Sequence, residues 1–240
     1  MCGRFVSSSS PDDIARYFGA EVETGAQDLR SNYNVAPTND VMVVYEDGST
    51  RLLDTFHWGL VPSWAKDLKI GSRMINARAE TVADKSAFKR SLAKRRCILP
   101  VDGFFEWAKV PGQKNKQPYF IHGVDEYPLA FAGLWAEWRG EVAGESVVVR
   151  STTIITTAAN QAMAPVHDRM PVILAPHEWS AWLDPAQQDP VAVQRLLVPS
   201  PETLLRLRPV STQVNNVRNK GAELIFEVEP ISPTDQTTLL

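Results

Sequence analysis

The chain has 240 residues, 44% of them hydrophobic and 22% charged, with a formal net charge of −3. That length buries one sizeable core without disulfide or metal staples, and the composition is that of an ordinary globular protein. The acidic total argues against holding nucleic acid by bulk electrostatics, and no stretch approaches the ~20 apolar residues of a membrane-spanning helix.

The chain begins MCGRF, with one of its two cysteines at position 2. Arg4, the serines at 7 to 10, Asp12 and Asp13 interrupt any apolar run of the kind that makes a signal peptide. Cys2 and Cys97 form neither a disulfide framework nor a metal-ligand spacing, and His57, His122, His167 and His177 show no paired ligand spacing. We therefore expect a monomeric, cytoplasmic protein of a reducing compartment, without cofactor, metal or membrane partner.

In SSSSPDDIARYF, Ser10 reads as the N-cap of a helix, with Pro11 at its first position and acids in its first turn. VMVVY predicts a strand, EDGS a turn, and RLLDTFHWG a second strand. DKSAFKRSLAKR predicts a helix, with Phe88 and Leu92 on one face. The apolar and β-branched runs CILPVDGFFEW, QPYFIHG, LAFAGLW, VVVRSTTIITTA and MPVILA read as strands. Short helices are expected at PHEWSAWL and DPVAVQRLL, and a last strand pair at LLRLRPVS and AELIFEV. Without repeats or a clean boundary, residues 1–240 read as a single α+β, sheet-rich domain with short peripheral helices.

Charge is unevenly spread. Lys66 to Arg96 carries ten basic and three acidic residues, a net of +7, so the remainder sums to −10. Such asymmetry suits a local phosphate-binding face on an acidic body, and equally a solvated helix face.

Initiator methionine is trimmed before small residues, which would make Cys2 the N-terminus. Its α-amine would then have a pKa of roughly 7.7–8.0, against ~10.4 for lysine, leaving a neutral, nucleophilic fraction at physiological pH. Such an amine condenses with aldehydes to a Schiff base, and the adjacent thiol can close a five-membered thiazolidine. An internal cysteine cannot, because its nitrogen is held in a peptide bond.

The chain resembles the SOS response-associated peptidase family along nearly its whole length. The resemblance rests on MCGRF, YNVAPT (33–38), WGLVPSW (58–64), INARAET (75–81), DGFFEW (102–107), HDRMPVIL (167–174) and NNVRNKGAEL (215–224), in that order. It implies an abasic-site sensor that links Cys2 covalently to the ring-opened deoxyribose of an abasic site in single-stranded DNA. It also implies Asn76, Glu106 and His167 as the residues around Cys2.

Each role has a chemical reason. Asn76 offers uncharged donors and an acceptor for a sugar hydroxyl or the new ring. Glu106, within aromatic GFFEW, should have a raised pKa and shuttle protons, though pairing with an arginine is the competing reading. His167 is matched to protonating the sugar ring oxygen. Arg4, Arg78 and Arg169 are candidate phosphate clamps, and Trp64 and Trp107 candidate base-stacking residues, although core burial must claim most of the seven tryptophans. The peptidase label suggests self-processing, and a Schiff base without thiol closure would drift toward lyase chemistry. Two alternatives stay open: a class II glutamine amidotransferase, which also exposes an N-terminal cysteine but usually continues CGI, and a non-covalent reader of modified bases.

Overall fold

A computed structural model of the chain describes residues 2–125 and 127–232. Strand β1 (Phe5–Ser7) leads into α1 (Pro11–Phe18). The Asp13 amide donates to the Ser10 hydroxyl at 3.2 Å, and Gly19 ends the helix in the left-handed region at φ 65°. Next come β2 (Glu21–Val22), α2 (Thr24–Gln27) and β3 (Asn32–Val35), then the hairpin of β4 (Asp40–Asp47) and β5 (Thr50–Trp58). After β6 (Asn76–Arg78) and α3 (Lys89–Lys94) the chain is nearly all strand. It runs through β7 (Arg96–Val101), β8 (Gly103–Ala108), β9 (Gln117–Gly123), β10 (Leu129–Val142), β11 (Glu145–Ala158) and β12 (Arg169–Pro171). Helices α4 (Trp179–Leu183) and α5 (Pro190–Gln194) and strand β13 (Leu205–Pro209) complete it.

Three expected elements differ. The helix over DKSAFKRSLAKR is confined to α3, which has no side-chain cap at its start, and residues before it run as turns. MPVILA pairs as a strand only through Pro171, and Ile173 contributes one isolated bridge to Phe131. AELIFEV forms no strand: Ala222–Ile225 is a single 3-10 turn, joined to its neighbour by one bridge, Val210 to Glu227. That turn suffices to bury Leu224 against Val6, Phe105, Val210 and Val214, while Phe226 stays 62% exposed.

The strands build two sheets. One is antiparallel, in the order β13-β9-β8-β1-β3. The other runs β12-β11-β10-β7-β4-β5-β2, and β5 returns to pair in parallel with β11, matching Trp58 with Thr152. Strands β11, β10, β7, β4 and β5 thereby close into a ring that leaves no open edge among them. β6 lies parallel to β11, with Asn76 opposite Ile154.

Both faces of the ring strands are covered, so they read as unbroken apolar runs rather than alternating ones. Val44, Leu53 and Ile98 pack with Ile14 and Phe18 of α1 and Trp182 of α4. Their neighbours Val43, Phe56, Cys97 and Leu99 pack on the other side with Phe5, Phe104 and Ile121 of the antiparallel sheet. Arg96 is 2% exposed and donates to the carbonyls of Leu92, Trp182 and Asp184, stitching the ends of α3 and α4 together. It is therefore no part of any basic surface. Among the described residues no helix is long and apolar enough to cross a membrane, and no cluster of three or more His, Cys, Asp or Glu could hold a metal.

Candidate functional site

Cys2 precedes β1 and is fully buried in the core that joins the two sheets. The Phe105 amide donates to the Arg4 carbonyl at 2.9 Å, which seats this N-terminal stretch against β8. Side chains alternate along β8: Phe105 and Trp107 enter one cluster, while Phe104 joins the cluster containing Cys2. Glu106 shares the side of Phe104 by that alternation. It is 4% exposed, and burial raises its pKa above the usual carboxylate range. Among the described residues, Lys116 is a side-chain cation whose charge acts on it. Burial, and next the Glu106 charge, push the Cys2 thiol well above its ordinary range.

Asn76 arrives from the other sheet. Held on β6 by pairing with β11, it donates from Nδ2 to the Cys2 carbonyl at 2.8 Å. Its Oδ1 is buried and has no hydrogen-bond partner among the described residues. A buried acceptor left unmet costs roughly 1–3 kcal/mol, so one beside Cys2 marks a place where a donor from outside belongs.

His167 lies in the turn before β12, its amide donating to the Met163 carbonyl at 3.0 Å. Its Nδ1 has two contacts with opposite demands. The Arg169 amide, at 2.9 Å, requires a lone pair there, and the Asp168 carboxylate, also at 2.9 Å, requires a proton. Burial lowers the imidazole pKa, and the Asp168 side chain is 88% exposed and free to turn to water, whereas the amide is fixed. The amide contact therefore prevails: His167 is neutral, with its proton on Nε2. The charge of Lys116, on the β8–β9 connection, also lowers the imidazole pKa of His167. Lys116 lies in the KNK run at 114–116, whose local positive charge is the mark it leaves in the sequence.

The other expected residues separate. Arg78 is exposed at the end of β6, two residues from Asn76. Trp64 is 58% exposed and shares a shallow pocket with Arg90 and Arg95. Arg4 and Arg169, read as phosphate clamps, also bond within the protein. Arg169 grips both oxygens of Glu80 at 2.6 and 3.0 Å and donates to the Thr156 carbonyl at 2.6 Å. Arg4 donates to Asn34 Oδ1 at 2.8 Å and to the Val214 carbonyl at 3.0 Å. Trp107 is half-buried, lies 5.8 Å beneath the Arg4 guanidinium and donates to Asn215 Oδ1 at 2.7 Å. Asn34 donates from Nδ2 to the carbonyls of Val214, Asn216 and Asn219 and thereby shapes the NNVRNK loop. The expected trimming of Met1 falls outside the described residues.

Three comparisons bear on this site. Residues 1–217 match the family described as SOS response associated peptidase (SRAP). The chain is similar to abasic site processing protein YoaM of Bacillus subtilis, at 41% identity over 94% of this chain and 97% of that one. It is 33% identical to abasic site processing protein YedK of Escherichia coli, over 95% of this chain and 100% of that one. In fold it is similar to a crystal structure of a protein from Bacteroides thetaiotaomicron, with a TM-score of 0.84, 24% identity, and coverage of 95% of this chain and 100% of that one.

Proposed function

The chain belongs to the SOS response-associated peptidase family, and from that premise we propose that it captures abasic sites in single-stranded DNA as a covalent thiazolidine on Cys2. The observation that carries this reading is the Asn76 amide bonded to the Cys2 carbonyl beside buried Glu106, with the Asn76 acceptor still unmet.

The reaction begins once Cys2 is the amino-terminal residue. Nitrogen attacks first, at the aldehyde carbon C1′ of the opened sugar, because an amine condenses with an aldehyde to an imine that the adjacent thiol can then close upon. The carbonyl oxygen leaves as water and an imine forms. The sulfur then adds to the imine carbon while its proton passes to nitrogen. Glu106 relays that proton, its raised pKa suiting both acceptance and return near neutral pH. Neutral His167 donates an Nε2–H hydrogen bond to the sugar oxygen, favouring ring opening. The unmet Asn76 acceptor takes an N–H of the terminal amine and aims its lone pair. Arg78 supports the adjoining phosphate, and exposed Trp64 supports stacking further along the strand.

Incubation with single-stranded DNA carrying one abasic site, followed by denaturing electrophoresis, tests the proposal. The parent protein is expected to give a shifted band that survives denaturation, and Cys2→Ala to give none, with residual strand nicking. Equal crosslinking by Cys2→Ala overturns it. A complex that forms with the parent but dissolves on denaturation also overturns it and favours a non-covalent reader.

A further inference from the structure

A deep cleft lies away from Cys2, Asn76, Glu106 and His167, none of which lines it. It has a volume of 650 Å³ and opens between α1, the start of β10, the segment leading into α4, and the loop before β13. At one end Tyr17 and Tyr127 stack 4.9 Å apart with their planes 5° from parallel, and Trp179 meets Tyr17 edge-on at 5.3 Å. Tyr127 is 59% exposed, which leaves aromatic surface open at this end. Among the described residues the cleft is lined by the carboxylates of Asp125, Glu178 and Glu202 and by His177, with no lysine or arginine. Asp125 lies close enough to Tyr17 that, after burial, its charge is what raises the phenol pKa most. A phosphate chain is thus repelled here.

A second, independent feature points to an absent ligand. Ser200 lines the cleft at 5% exposure, and its buried hydroxyl has no hydrogen-bond partner among the described residues. Its neighbours show how closed that wall otherwise is: the Ser200 carbonyl already accepts from Asn160 Nδ2 at 3.0 Å.

We propose that this cleft is a binding site for a primary alkylammonium group carried on an apolar stem. Aromatic faces attract a cation through their quadrupole, and the carboxylates balance its charge. The Ser200 oxygen accepts one ammonium N–H, a bond that a quaternary nitrogen cannot supply. Ile173, Leu174 and Leu196 take the methylenes. The site is separate from the DNA chemistry, so its ligand would be present together with bound DNA.

Hexylamine, protonated at pH 7, titrated into 15N-labelled full-length protein gives the test, read from the amide shifts of residues lining the cleft. Hexylammonium is expected to bind there about tenfold or more tighter than hexan-1-ol or hexanoate. Asp125→Asn and Tyr127→Ala are each expected to weaken it at least about threefold. Ser200→Ala is expected to weaken hexylammonium by about threefold or more while leaving hexyltrimethylammonium unchanged. The same variants should crosslink abasic DNA like the parent, which also reports that they fold. Equal binding of hexan-1-ol overturns the proposal, since the cleft is then only an apolar groove. Shifts centred on Glu106 rather than Tyr127, or unaltered affinity in Asp125→Asn and Tyr127→Ala, overturn it as well.

Discussion

Glu106 carries opposite consequences for stability and for chemistry. Burial raises its pKa, so the folded chain keeps this proton to a higher pH than the unfolded chain does. Stability from the protonated carboxyl is full below the ordinary glutamate value of about 4.3 and is lost as pH rises through the raised folded value. Glu106→Gln retains the shape and removes the ionisation. It should therefore be more stable than the parent at pH 8, with the advantage shrinking to nothing near pH 4, measured by urea midpoints across that range. A difference that does not change with pH would remove burial of the charge as its cause. Crosslinking should move the other way and slow by about 10²-fold, the usual worth of a positioned acid–base group. A residue that weakens the fold while serving the reaction is what a functional carboxylate in an apolar strand should look like.

At the scale of elements, the segment that delivers Asn76 depends on two backbones in contact. Gly59, at φ 133°, lies so close to Gly71 that a Cβ would meet the Gly71 carbonyl oxygen at 2.6 Å and its carbon at 2.8 Å. The Leu60 amide donates to the Met74 carbonyl at 3.1 Å, and Trp58 Nε1 to the Ile75 carbonyl at 3.0 Å. The WGLVPSW stretch thus fixes where β6 begins and how far Asn76 reaches. Gly59→Ala is expected to destabilise by about 2–4 kcal/mol through strain and overpacking. Gly48→Ala, at φ 62° with open space around it, should lose only about 1–2 kcal/mol. Thermal unfolding of the pair checks this, and equal losses would show that backbone contact is not what matters at Gly59. Long strands were legible because β-branched runs bounded by turns leave little choice, and Cys2 because its position alone confers two nucleophiles. β6 was not legible: three residues carry no periodicity, and parallel pairing with β11 is a tertiary fact. Nor does sequence distinguish Arg78 from Arg169, since the difference is a carboxylate, Glu80, 89 residues from Arg169.

For the whole molecule, the deciding quantity is where charge ends up after folding. Of the ten basic residues between Lys66 and Arg96, Arg96 is buried and Arg95 is half-buried, 4.8 Å over the Trp135 ring. Lys66, Lys69, Arg73, Arg78, Lys85, Lys89, Arg90 and Lys94 remain exposed, against an acidic remainder. A chain of net charge −3 can hold single-stranded DNA only if such a face meets the strand while the rest is kept away. Binding before the covalent step should then be strongly salt-dependent, with log K falling by about 0.7 per log unit of salt for each phosphate neutralised. An oligonucleotide carrying a tetrahydrofuran site, which has no aldehyde, isolates that step, because neither imine nor ring can form on it. Fluorescence anisotropy of the parent protein with that oligonucleotide, measured across salt concentrations, should give a steep slope. Adding Arg78→Ala or Arg90→Ala should each lower its magnitude by about 0.7 if both guanidinium groups meet phosphate. Glu21→Gln, an exposed carboxylate of β2 outside the basic stretch, should leave the slope unaltered. A slope that neither arginine changes would move the DNA path off this face, and Trp64, which shares its pocket with Arg90, would leave the path with it.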